Sequence, residues 1–406
     1  MTQTPEKLDL THEMNKQEDR FDRFRLISWW DQNRLASAKV LVVGAGALGN
    51  ELVKNLALLG IGNVLIADMD AIENSNLSRS VLYREKDNGT QKSITAARAA
   101  KDIYPDIKVH HFDGNVVHDL GLGVYRWADV ILGGLDNREA RLSINRNCYK
   151  VNKTWIDGAI EQIQGVVRVF TPPGPCYECT MSEMDWKLLQ LRRSCNLLSR
   201  EQMITGHTPT TPTISSIIAG VQSQEAVKLL HGLETIAGSG WVFNGLTTEA
   251  YSINYPRKEE CYSHDTITQF VSLDGGVQDI TVSELLNQAI KMLGPEVQLE
   301  LPREILSSLT CPKCGDQEEL FASLGKVPTS KAACPVCSHE LRDIQTFFKI
   351  KGDEPFIDRT LASIGVPPFD IIIARSGSRA VGFELTGDAA SVLGPLLETQ
   401  EAIEWS

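Results

Sequence analysis

Residues 39–59 leave this chain few choices of fold. The apolar run Lys-Val-Leu-Val-Val has strand character, and Gly44-Ala45-Gly46-Ala47-Leu48-Gly49 then opens an apolar helical stretch that continues to Leu59. Strand, glycine turn and helix in that order form the start of a nucleotide-binding α/β sheet. The first Gly permits the tight turn, the second lets backbone N–H groups approach a phosphate or ribose, and the third allows close packing of helix on strand. A second strand-like run ends at Asp68, 19 residues after Gly49. A carboxylate in that place grips ribose hydroxyls. On these residues alone a nicotinamide or flavin dehydrogenase is the commonest reading.

The residues that follow shift the balance. Asp68-Met69-Asp70 leads into Asn76-Leu77-Ser78-Arg79, then Gly89-Thr90-Gln91-Lys92, and later Gly134-Leu135-Asp136-Asn137. Hydride transfer needs no such set, whereas a triphosphate needs cations for its oxygens, a carboxylate to hold Mg²⁺ and an amide to orient it. Each residue taken singly has a plainer meaning, since an Asp after a strand often caps a turn and an isolated Arg or Lys is often solvated.

In this order the motifs resemble the ThiF/MoeB and ubiquitin-activating superfamily, through VLVVGAGALGNELVKNLALLGIGNVLIADMDAIENSNLSRSVLYREKDNGTQKS and GGLDNREARLSINRNCYK, over about residues 17–264. The resemblance implies a Rossmann-like adenylation domain of the α/β class that uses Mg-ATP to activate the C-terminal Gly of a ubiquitin-like protein. It makes Gly44, Gly46 and Gly49 the nucleotide turn, Asp68 the ribose ligand, and Asn76 and Arg79 contacts to the phosphates. Lys92 would meet the phosphates and the forming acyl-adenylate. Asp136 would hold Mg²⁺, with Asp70 a weaker candidate nearby. Arg20-Phe21-Asp22-Arg23 is similar to the family's N-terminal Arg-Tyr-x-Arg element. Arg23 is thereby expected to reach ATP in a partner subunit of a homodimer. Ser80 and Gln91 depart from the family's usual Gln and Pro, but neither position supplies a main charge.

Nine cysteines, three C-x-x-C pairs among them, in a chain whose start lacks the apolar core of a signal peptide point to metal rather than disulfides. Cys311-x-x-Cys314 and Cys334-x-x-Cys337, separated by 19 residues, read as two facing zinc knuckles with four thiolates. Cys176-x-x-Cys179 and Cys261-x-x-His264 supply a second set of four donors. The family often holds a structural zinc at these places with four cysteines, so His264 is a departure, and one that zinc accepts. Two zinc ions per chain are expected.

Cys148 and Cys195 remain. Cys148 sits in a predicted helix, where a cysteine is ordinarily a small buried hydrophobe. Cys195 lies beside Arg192 and Arg193, and neighbouring positive charge raises a thiol's thiolate fraction. Its segment, about residues 180–211, resembles the family's crossover loop. There ubiquitin-activating members carry a thioester cysteine and ThiF-type members a cysteine used with sulfur carriers. Packing remains the plain alternative for Cys195.

Residues 1–16 are expected to be a polar tail, 17–264 the adenylation domain, and 265–406 a smaller α+β module containing the zinc knuckles. Within that module 281–292 has the pattern of an amphipathic helix, and 369–374 and 380–385 read as strands. Its position matches that of the ubiquitin-fold domain by which ubiquitin-activating enzymes recruit a conjugating enzyme. Dimerisation or docking of the ubiquitin-like substrate are equally open roles. The formal charge of −12 opposes unaided binding to nucleic acid or anionic lipid, and no apolar run reaches bilayer length. The expectation is a cytoplasmic enzyme that adenylates a ubiquitin-like protein, forms a thioester at Cys195 and passes it to a conjugating enzyme. Two alternatives stand beside it: a sulfur-carrier adenylating enzyme for cofactor or tRNA thiolation, and a scaffold that binds a ubiquitin-like protein without catalysis.

Overall fold

The computed structural model describes residues 19–186 and 209–397. After the short helix α1 (Gln32–Ser37), strand β1 (Lys39–Val43), helix α2 (Ala47–Leu59) and strand β2 (Asn63–Asp68) form the predicted glycine-turn unit. Helix α3 (Lys92–Ile103), β3 (Lys108–Asp113), α4 (Leu122–Trp127), β4 (Val130–Gly133), α5 (Arg138–Lys150) and β5 (Thr154–Glu161) complete a parallel sheet. Strand β6 (Gln164–Phe170) turns back antiparallel; α6 (Tyr177–Thr180) and α7 (Pro212–Leu230) follow, then the hairpin β7 (Ser239–Asn244) and β8 (Glu249–Asn254). The strand order is β3-β2-β1-β4-β5-β6-β7-β8, so the order reverses between β1 and β4. Ligands of open α/β sheets bind at the carboxyl ends of the strands beside such a reversal.

The parallel strands read as continuous apolar runs because both faces are covered. On one face Val40, Val42, Val64, Ile66, Val130 and Leu132 pack beneath α2, α3 and α7. The other face carries Leu41, Val43, Leu65 and Ile131, covered by residues of α4 and α5 and by the far end of the chain: Phe369, Ile371, Ala389, Val392, Leu393 and Leu396. Cys148 is buried in this cluster, and burial pushes its thiol well above the ordinary range, which fits a packing role.

A second sheet is built by β9 (Phe270–Leu273), β10 (Gln298–Thr310), β11 (Gln317–Ser323), β12 (Asp343–Ile350), β13 (Ile371–Ser376) and β14 (Arg379–Leu385). Its order is β11-β10-β13-β14-β9, with β12 on β10. Helix α8 (Val282–Leu293) packs on it through Val282, Leu285, Leu286, Ala289 and Leu293. Thr281 caps that helix in a reciprocal box with Glu284, which fixes where it starts. Helix α9 (Ala389–Leu393) lies near the end of the described chain. Ion pairs join the second sheet and its loops to the first half of the chain, among them Arg126 of α4 with Glu384 of β14 at 2.7 Å and Lys326 with Asp119 at 2.5 Å. Among the described residues no helix is long and apolar enough to cross a membrane.

Candidate functional site

A cleft of about 1370 Å³ opens over the carboxyl ends of the parallel strands. It is lined by Gly44, Gly46, Asp68, Asp70, Asn76, Arg79, Lys92 and Asp136, so eight residues singled out in the sequence converge here. Gly44 has a φ of +91°, and a Cβ on it would meet the Gly134 carbonyl oxygen at 2.6 Å. A Cβ on Gly49 would sit 1.8 Å from the Gly44 oxygen, so Gly49 supports the turn from beneath rather than lining the cleft. Gly46 caps α2 without a side chain and has open space where a Cβ would stand. The first N–H groups of a 13-residue helix thus face the cleft, as an anion site requires. Asn50 locks the turn by donating to the Ala45 oxygen at 2.7 Å and accepting from Leu82 N at 2.9 Å.

Asp68 stands at the end of β2, where its carboxylate accepts from Ala45 N at 2.6 Å and Asp70 N at 2.8 Å. Burial raises its carboxyl above the ordinary value despite these N–H donors. Lys92 opens α3, and its Nζ lies 2.9 Å from the Asp70 carboxylate. Asn76 spends its Oδ1 on Glu73 N at 3.0 Å, which leaves its amide N–H groups as the donors. Arg79 is held by a bond from Nη1 to the Ser75 oxygen at 2.8 Å. Asp136 is exposed, one residue before the α5 cap Asn137, and its carboxylate makes no ion pair among the described residues. A carboxylate exposed on the cleft wall is one that could hold a hard cation such as Mg²⁺.

Arg23 is exposed and lies elsewhere. Its neighbour Phe21 packs on Gly60, the C-cap of α2, and on Tyr104 at the end of α3. The cleft is at the opposite end of α2, about 20 Å away at 1.5 Å per residue. Within one chain Arg23 therefore does not reach it. Cys195, with Arg192 and Arg193, lies outside the described residues.

The sequence motifs do not mark the charged trio Asp157, Arg141 and Arg168. Asp157 on β5 is fully buried and receives Arg141 Nε at 3.0 Å and Arg168 Nη2 at 2.5 Å, and both guanidinium side chains line the cleft floor. Opposite charges inside the apolar strands Trp-Ile-Asp and Val-Arg-Val were the available signal. Residues 114–118, after β3, supply a further wall.

Both predicted ligand sets assemble. Cys176 Sγ lies 3.7 Å from Cys179 Sγ and 3.6 Å from Cys261 Sγ, and Cys179 Sγ lies 3.3 Å from His264 Nε2. In the second set Cys311 pairs with Cys337 and Cys314 with Cys334, both at 3.6 Å. A disulfide would need about 2.05 Å. Zinc with bonds of about 2.3 Å to sulfur gives tetrahedral edges near 3.8 Å. All four donor atoms of each set lie within 4.8 Å of one another, so both sets are compatible with zinc.

The ThiF family model matches residues 19–263. The chain is 35% identical over 156 residues to the SAMP-activating enzyme E1 of Haloferax volcanii, an alignment spanning 37% of this chain and 56% of that protein. It is 29% identical over 237 residues to the sulfur carrier protein adenylyltransferase of Thermus thermophilus, covering 57% of this chain and 83% of the other. Among solved structures, Escherichia coli MccB with ATP superposes with a TM-score of 0.52 at 22% identity, over 62% of this chain and 75% of that one.

Proposed function

Because the chain belongs to the ThiF family, we propose that it is an ATP-dependent adenylyltransferase acting on the C-terminal carboxylate of a ubiquitin-like or sulfur-carrier protein. The observation that carries this reading is the convergence of Asp68, Asn76, Arg79, Lys92 and Asp136 in one cleft beneath a bare helix N-terminus. The acceptor's carboxylate oxygen attacks the α-phosphorus of ATP. The bond to the bridging oxygen breaks, pyrophosphate leaves, and an acyl-adenylate remains. Asp68 accepts from the ribose hydroxyls. Arg79, Lys92 and the Asn76 amide face the phosphates, and Lys92 must exchange Asp70 for phosphate oxygen. Asp136, helped by Asp70, would hold Mg²⁺, which supplies charge neutralisation on the leaving pyrophosphate. One such contact is worth about 3 to 4 kcal/mol, or roughly 10² to 10³ in rate.

Two fates of the adenylate follow from the two kinds of relative. In the first, Cys195 displaces AMP to form a thioester that passes to a conjugating enzyme, as the likeness to the SAMP-activating enzyme suggests. In the second, the adenylate feeds thiocarboxylate formation; the likeness to the Thermus adenylyltransferase, 83% of which this chain matches, favours it. Arg23 completes the cleft of a neighbouring subunit in a homodimer, and both ligand sets hold zinc as structural staples.

The test is ATP–pyrophosphate exchange with a candidate acceptor ending in Gly. Asp136→Ala and Arg79→Ala should each lower exchange at least about a hundredfold with the fold intact. Near-normal exchange in both would overturn the assignment. A band on a non-reducing gel that Cys195→Ala abolishes selects the thioester route, whereas persulfide-dependent thiocarboxylate selects the other.

A further inference from the structure

The wall at residues 114–118 closes on itself through Asn115, whose Oδ1 accepts from Val117 N at 2.9 Å and whose N–H donates to the Asp119 carboxylate at 3.0 Å, and its His118 end is held from outside the ThiF-matched region. Ser323 Oγ lies 2.8 Å from His118 Nδ1, and Lys326 Nζ lies 2.5 Å from the Asp119 carboxylate. Gly325 sits so close to the His118 ring that a Cβ there would be 2.0 Å from Nε2. Arg303 donates to the His118 oxygen at 3.0 Å and the Leu120 oxygen at 3.4 Å, and pairs with buried Asp370 at 3.2 Å. Asp370 in turn accepts from Leu122 N at 2.7 Å. Every one of these outside supports lies beyond residue 263, where the family match ends.

The second sheet is shaped to deliver them. Between the pairs Glu300 with Lys349 and Ile305 with Phe347, five residues of β10 advance against two of β12. Pro302 lies in that irregular stretch and offers no N–H to the ladder, and Arg303 follows it. Ser323 ends β11, a strand that begins just after the Cys311–Cys314 turn. The chain then passes Gly325 and Lys326 and returns to Cys334 and Cys337, so the four-cysteine cluster closes the base of the segment that presses on the wall.

We propose that the C-terminal module is a working part of the nucleotide cleft: Arg303, Ser323 and Lys326 are positioning residues that hold the 114–118 wall and thereby set affinity for ATP. This rests on the adenylation reading above. The wall is a loop between β3 and α4, and pre-organising it lowers the ordering cost of binding.

The experiment is calorimetric titration of the full-length chain with Mg-ATP, alongside the ATP dependence of exchange. The paired changes Ser323→Ala, at a buried hydroxyl, and Lys326→Ala, at an exposed ammonium, should weaken ATP about tenfold, comparable to losing one hydrogen bond of about 1.4 kcal/mol. KM for ATP should rise while kcat changes less than about twofold. Arg303→Ala should act in the same direction, with partial recovery in Arg303→Lys. Arg126→Ala, which removes the tie from α4 to Glu384 of the second sheet and leaves the wall's own contacts in place, should leave ATP affinity unchanged. The proposal is overturned if the double variant, folded as judged by circular dichroism, binds ATP within about twofold of the unaltered chain. It is also overturned if Arg126→Ala weakens ATP equally, since general loosening would then be the cause. Absence of ATP binding by the unaltered chain would instead overturn the adenylation reading, and this inference with it.

Discussion

Replacing Asp157 with Ala should cost about 4 kcal/mol of folding stability. The carboxylate is fully buried on β5 and lies opposite Arg168 of β6 in the strand register, while Arg141 reaches it from α5. Removing one partner of a buried ion pair costs about 3 to 5 kcal/mol, because a charge remains without compensation in a poorly solvated place. Here two guanidinium groups lose their partner, which argues for the upper part of that range. Two features moderate it: Arg141 retains bonds to the Leu135 and Gly158 oxygens, and Arg168 lies over the Tyr177 ring at 5.2 Å. Asp157→Asn keeps an acceptor of the same shape and should lose about half as much. Equilibrium urea unfolding, followed by intrinsic tryptophan fluorescence, to which buried Trp155 two residues away contributes, measures both. A loss below about 1 kcal/mol for the Ala variant, the level of an exposed pair, would refute the view of a dry charged floor under the cleft.

Elemental analysis of freshly purified chain should give two zinc ions, and Cys334→Ser should remove one; a count of one or none in the unaltered chain contradicts the assignment. Mixing inactive Arg23→Ala and Asp136→Ala chains should restore part of the exchange activity, since a mixed dimer has one intact composite site. No recovery despite demonstrated subunit exchange counts against action in trans. Burial raises the Asp68 carboxyl above 3.8, so the stabilisation tied to its protonated form is complete below pH 3.8 and is lost as pH rises through the elevated value. ATP binding carries the opposite sign, because ribose needs the ionised carboxylate: affinity should fall as pH drops through that same value, and Asp68→Asn should lack this titration in Kd measured against pH.

What the sequence disclosed was mostly local in the chain. The glycine turn, Asp68 at the end of β2 and the start of α8 at Thr281 each depend on residues within a few positions, where turn and cap chemistry act. The two ligand sets were legible because metal coordination demands fixed donor types at short spacing. The pairing of Asp157 with Arg168 was not, since it requires the β5–β6 register, although charges within apolar strands hinted at it. Arg303 and His118 are 185 residues apart, and nothing in either neighbourhood marks their meeting. The 13-residue length of β10 was hidden by the same stretch around Pro302 that aims Arg303.

The shared core has a consequence for biosynthesis. Leu41, Leu65 and Ile131 are made early, yet Phe369, Ile371, Val392 and Leu393, which share their core cluster, are made more than 200 residues later. At about 5 to 20 residues per second, the roughly 230 residues between the end of β5 and Leu393 take on the order of 12 to 46 s. During that time the nascent chain shows an apolar sheet face to its surroundings, which makes it a natural client for chaperones acting at the ribosome. Ribosome-bound chains arrested after β12 should therefore crosslink to such chaperones through this face, and chains arrested by a linker beyond residue 406 should not.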